Sequence, residues 1–128
     1  MKYLGLDYGT KRVGIALSDD AGEFAFPHSI VATKAALEVL PELLERESVQ
    51  GIVLGESVAS NGAPNAVAGK IDSFEEKLKA ECHIPIYRQS EQFSSVEAHR
   101  YQTTKGSRDD SAAAIILQRF LDKKKKVV

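Results

Sequence analysis

Cysteine occurs once, at Cys82, so the chain has no internal disulfide framework and no multi-cysteine zinc site. Long apolar runs are missing: the longest, Ala112 to Leu117, falls far short of the ~20 residues that span a bilayer. The opening MKYLGLDYG reaches a charged residue too soon for the apolar region of a signal peptide. No GxxxxGKS or GxxxxGKT phosphate loop occurs, and no GxGxxG follows the first apolar segment. His28, His83 and His99 are widely spaced and make no HxxxH or Cys/His pattern. Cys82 beside His83 is a poor nucleophile–base pair, because adjacent residues point apart in a strand. Repeats, low-complexity segments and Pro/Gly/Ser linkers are also lacking. These absences lead us to expect a soluble cytoplasmic domain with no membrane partner.

What is present is ordinary for a globular protein: 128 residues, 43% hydrophobic and 27% charged. That length fits one domain, which we place at 1–122 with a basic tail at 123–128. The net charge of −1 hides an asymmetry. Residues 98–128 hold eight Lys/Arg and three Asp, whereas the remainder holds nine basic against fifteen acidic residues. A basic C-terminal quarter on an acidic body is an electrostatic footprint for a polyanion, or a solvated helix face with a lysine end.

Lys2 to Asp7 reads as a strand ending at the Gly9-Thr10 turn, and Arg12 to Ser18 as its antiparallel partner. In that second strand Val13, Ile15 and Leu17 share one face. Phe24 to Pro27 with Ile30-Val31 completes a third. A helix is expected from about Lys34 to Arg46, with Thr33 as N-cap and a kink or restart at Pro41. Gly51 to Gly55 is a buried strand, and a helix follows from about Asn65 to Glu81. Ile84 to Tyr87 forms another strand. Ser94 and Glu97 then cap a short helix to about Tyr101, and a final helix runs from about Asp109 to Lys123. Antiparallel strands followed by βα units imply an α/β fold, a mixed sheet with helices on its faces.

The chemistry-bearing candidates lie at strand and helix ends. Asp7 closes the first strand, and Thr10, Lys11 and Arg12 add donors and positive charge beside it. Glu56 ends the strand 51–55, and Glu91 follows the strand 84–87. Asp110 lies in the first turn of the last helix, where capping accounts for it equally well and Asp109 competes for either role. If these strands are neighbours, the carboxylates meet at one sheet edge, and such a cluster requires protonation or hard cations. Mg2+ suits oxygen donors, and two such ions can activate a water and stabilise the leaving oxygen of a phosphodiester.

These segments also resemble a known family. LGLDYGTKRVGIALSD, GIVLG, YRQSEQFSSVEA and DDSAAAIILQRFLD are similar, in order and spacing, to blocks of the YqgF family, also called RuvX, of the RNase H-like superfamily. The resemblance covers nearly the whole chain. Family members are described as Holliday-junction resolvases and as nucleases that mature the 5′ end of pre-16S ribosomal RNA. The resemblance implies a metal-dependent endonuclease with Asp7, Glu91 and Asp110 as catalytic metal ligands for Mg2+ or Mn2+. The partner it implies is precursor ribosomal RNA or branched DNA, held by a monomer or a homodimer. Lys11 and Arg12 would steady the phosphate being cut, with Arg100, Lys105, Arg108 and the lysine tail on neighbouring phosphates. Two positions depart from the family pattern: Ser90 stands where Asp is usual, and Gln92 where Arg is usual. The usual Gly-Leu-Pro turn is replaced by Gly55-Glu56-Ser57, and our hypothesis is that Glu56 partly replaces the carboxylate lost at position 90. Two other classes stay open. One is a non-catalytic nucleic-acid-binding or ribosome-maturation factor with an eroded site. The other is a phosphotransferase or ATPase, since Asp-x-Gly-Thr turns also open two-domain nucleotide-binding folds.

Overall fold

The first two strands fold on each other because a three-residue turn separates two apolar runs. In the computed structural model, which describes residues 1–56, 64–90 and 109–126, β1 (Tyr3–Tyr8) pairs antiparallel with β2 (Arg12–Ser18). Gly9 is required at this tip: a Cβ there would lie 2.5 Å from the Arg12 carbonyl oxygen. β3 (Ala25–Ala32) pairs antiparallel with β2, and the two expected fragments are one strand. A register shift opposite Ile15/Ala16 absorbs an extra residue at this edge.

Helix α1 (Thr33–Arg46) runs through Pro41 as one helix, so of the expected kink or restart the restart does not occur. A proline inside a helix costs about 3 kcal/mol. Burial of Leu40, Leu43 and Leu44 on either side opposes that cost at roughly 1.5–3 kcal/mol each. Thr33 is not the N-cap. Ala32 holds that place without a side-chain bond, and the Thr33 hydroxyl instead donates to the Gly9 carbonyl at 2.6 Å.

Strand β4 (Gly51–Glu56) adds parallel to β1, and β5 (Ile86–Ser90) adds parallel to β4. The sheet order is β3-β2-β1-β4-β5, a mixed five-stranded sheet. β5 lies later than the expected strand at 84–87 because its polar residues have partners. Arg88 Nε donates to Glu75 at 2.8 Å and its Nη2 to Asp72 at 2.6 Å. Both acids are on α2 (Pro64–Glu81), which covers the same face as α1. The last helix, α3 (Asp109–Lys126), covers the opposite face and extends past the expected end at Lys123. The expected helix at 94–101 lies outside the described residues.

Two apolar clusters result, one per face. Leu4, Leu6, Val13, Ile15, Ile52 and Leu54 pack against α1 and α2 with Ile71, Phe74 and Leu78. Tyr3, Ala16 and Val53 pack against Ala113, Ile116, Leu117 and Leu121 of α3. Because both faces are covered, β1 and β4 read as continuous apolar runs rather than alternating ones.

Candidate active site

Parallel pairing of β1, β4 and β5 brings their C-terminal ends to one edge of the sheet. Asp7 is in register with Gly55, and Gly55 with Gln89; one row further, Glu56 pairs with Ser90. On its other side Asp7 faces Gly14 of β2. Asp7 shares the α3 face with Gly5, since side chains two apart along a strand point the same way. It is half-buried there.

The approach of α3 depends on two glycines. A Cβ on Gly5 would lie 2.8 Å from Leu117 Cβ and 3.1 Å from the Ala113 carbonyl oxygen. A Cβ on Gly55 would lie 2.5 Å from Ile116 Cδ1 and 3.0 Å from the Leu6 carbonyl oxygen. Lys124 and Phe120 lie against Tyr3, and Leu117 and Ala113 against Gly5, so α3 runs antiparallel to β1. Its first residues, Asp109 and Asp110, therefore start at the end of the sheet that carries Asp7.

The hairpin tip is anchored from α1. The Thr33 N–H donates to the Lys11 carbonyl at 3.0 Å, and the Thr33 hydroxyl to the Gly9 carbonyl. This tether presents Thr10, Lys11 and Arg12 as exposed residues three to five positions beyond Asp7. On the opposite face the Tyr8 ring lies 5.0 Å from that of Phe74, tilted by 47°, and burial pushes its phenol above the usual 10.0.

The topology thus brings the backbone positions of Asp7, Glu56 and Asp110 to one sheet edge, with β5 ending at Ser90 beside them. Glu91, Arg100, Lys105 and Arg108 lie outside the described residues. Among the described residues no group of three or more His, Cys, Asp or Glu side chains is placed to hold a metal. Cys82 is buried and its thiol is pushed up by burial, then by the Glu81 charge, which suits a packing role. Sequence reasoning missed Gln89, a polar side chain only 5% exposed in the same row as Asp7. Its signal was alternation with Tyr87, hidden because the expected strand stopped at that tyrosine.

A mixed five-stranded sheet in this order, with helices on both faces, is the fold of RNase H-like resolvases. Two solved structures share it. Thermus thermophilus RuvC in complex with a Holliday junction substrate superposes with a TM-score of 0.67 at 14% identity, covering 98% of this chain and 96% of that one. The fowlpox virus Holliday junction resolvase gives 0.55 at 15% identity, covering 96% and 99%. The chain belongs to the RuvX family, described as Holliday junction resolvase, whose model matches residues 1–123. A relative from Lawsonia intracellularis is 38% identical, covering 95% of this chain and 94% of the relative. Another, from Oleidesulfovibrio alaskensis, is 33% identical, covering 95% and 92%. Both carry the name "Putative pre-16S rRNA nuclease".

Proposed function

We propose that this protein is a divalent-metal-dependent endonuclease that trims the 5′ end of pre-16S ribosomal RNA. The observation that carries this reading is the register Asp7–Gly55–Gln89 with Glu56–Ser90, which gathers three parallel strand ends at the edge where α3 begins. The names of the relatives favour ribosomal RNA over branched DNA. Family membership keeps DNA junctions as the competing substrate.

The donors fit a hard cation, because Asp7, Glu91 and Asp110, with Glu56 as a fourth, are all carboxylates. Mg2+ or Mn2+ held there supplies an activated water and offsets charge on the phosphodiester. The residues of the chain do the rest. Asp7 holds its place on a strand covered from both faces, so its carboxylate needs little reorganisation to bind an ion. Thr10, Lys11 and Arg12, tethered through Thr33, hold the phosphate to be cut. Arg100, Lys105 and Arg108 extend phosphate contacts along the substrate.

A second reading has a specific observation in its favour: Ser90, not a carboxylate, pairs with Glu56 at the site edge. A non-catalytic ribosome-maturation factor would tolerate that change. Both readings are decided by incubating the protein with a pre-16S 5′ fragment and with a four-way DNA junction, in Mg2+ or Mn2+. We expect cleavage of the RNA, leaving 5′-phosphate ends. Asp7→Asn should slow it by about 10²–10³-fold, the scale of losing one preorganised electrostatic group. Cleavage unchanged in Asp7→Asn, or RNA bound and never cut by wild type, overturns the enzyme reading.

A further inference from the structure

At the far end of α3 from the carboxylates, aromatic rings and lysines share one surface. Tyr87 of β5 is 37% exposed, and its ring lies 5.2 Å from that of Phe120 at an interplanar angle of 38°. Tyr3 completes a three-ring cluster beneath, 5.5 Å from Phe120 and 6.4 Å from Tyr87. Tyr3 is only 2% exposed, so it fixes the two outer rings rather than offering a surface. Lys124, one turn beyond Phe120, sits over the Tyr3 ring at 4.8 Å and donates to its hydroxyl. Lys123, three residues from Phe120, is exposed, and the helix carries two more lysines before it ends at Lys126.

The charges on this helix end are sorted by side. Gln118 faces β3: its Oε1 accepts the Ala25 N–H at 2.9 Å, and its amide donates to the Glu23 carbonyl at 2.9 Å. The same amide donates to Asp122 at 3.1 Å, which holds that acid toward β3. Phe120 and Lys123 lie two and five residues from Gln118, at ~100° per residue, and so turn toward β5. The β5 side is therefore aromatic and basic, while the acid is drawn to the other.

We propose that Tyr87, Phe120 and Lys123 form a second binding site, for a single-stranded extension of the nucleic acid. A partly exposed ring offers any base a stacking face without reading sequence, and lysines beside it neutralise the backbone. The inference rests on the nuclease reading for the identity of the substrate. Tyr87 lies roughly 10 Å along β5 from Ser90. Phe120 lies roughly 15 Å along α3 from Asp110. At 3.4 Å per stacked nucleotide the platform takes up the strand about three to four nucleotides from the cut.

The test is fluorescence anisotropy of labelled oligouridylate and oligothymidylate across a KCl series, with wild type, Tyr87→Ala, Tyr87→Phe and Lys123→Gln. We expect Tyr87→Ala to bind about tenfold more weakly and Tyr87→Phe to bind nearly as wild type, since a stacked base is lost only in the first. Lys123→Gln should lower the slope of log affinity against log salt by about 0.7, the share of one phosphate contact on a single strand. Oligouridylate bound more tightly than oligothymidylate fits an RNA extension, and the reverse preference fits a DNA arm; either supports the platform. Wild-type affinity in Tyr87→Ala, or equal losses in the Ala and Phe variants, overturns it. If Tyr87→Ala fails to fold, an unchanged salt slope in Lys123→Gln overturns it as well. Asp7→Asn separates the two readings: it should slow cleavage by about 10²–10³-fold and leave oligonucleotide affinity intact, whereas failure of the platform leaves cleavage standing.

Discussion

Gly5 and Gly55 act by what they lack. Neither carries a positive φ among the described residues; each is needed because α3 lies where a methyl group would be. At Gly5 the obstruction includes the helix backbone at Ala113, which cannot rotate away. We expect Gly5→Ala to destabilise the protein by about 1–3 kcal/mol, the usual range for overpacking. A urea melt measures it, and an unchanged midpoint would show that α3 shifts without cost. Because α3 starts with Asp109 and Asp110, a shift of the helix should also depress cleavage. The candidate acids were legible as residues, since Asp7, Glu56 and Asp110 each lie at or next to the end of an element. Gly5 and Gln89 were not, because a glycine under a helix and a polar residue inside a strand declare themselves only once their neighbours are placed.

At the scale of elements, β5 is the least apolar strand and is held by charge. Arg88 bridges to Glu75 and Asp72 on α2, with Glu75 also 3.5 Å from Lys79. Glu75 is the more sheltered acid, its side chain 16% exposed against 69% for Asp72. Replacing Glu75 with Gln should cost about 1–3 kcal/mol, as for a sheltered charged hydrogen bond. It should also speed amide exchange across β5 and lower the cleavage rate, because Glu91 directly follows that strand. Exchange rates unchanged at Tyr87 to Gln89 would sink the clamp. This bridge explains why β5 extends to Ser90: Arg88 sits thirteen positions beyond Glu75, a pairing that no local pattern reports. β2, α1, α2 and α3 were legible because each repeats apolar residues at its own period, and β1 and β4 because each is a short continuous apolar run bounded by turn residues. Pro41 misled for a related reason: local propensity disfavours it, and burial on both sides overrides that preference.

Across the whole molecule, basic residues gather at the C-terminal quarter while the rest is acidic. A polyanion is therefore drawn to the groups of that quarter and repelled by the acidic remainder, which speeds encounter before any contact forms. Contacts from Lys11, Arg12 and Lys123 alone set a slope of about −2 for log affinity against log salt with single-stranded RNA, and further contacts steepen it. Anisotropy at several KCl concentrations measures this, and a flat response would remove charge from the account of binding. Charge alone named no partner in the sequence, since a lysine-rich helix end reads equally well as solvated surface; the neighbouring rings of Tyr87 and Phe120 tilt that balance, and they meet only in the fold.

The covering of β1 on its second face by α3 has a consequence for how the protein is made. Tyr3, Ala16 and Val53 emerge from the ribosome before α3, the helix that covers them. Until then the nascent chain carries one apolar sheet face without its cover. A half-made copy should thus be sticky, and without Asp109 and Asp110 at the sheet edge its candidate site is incomplete.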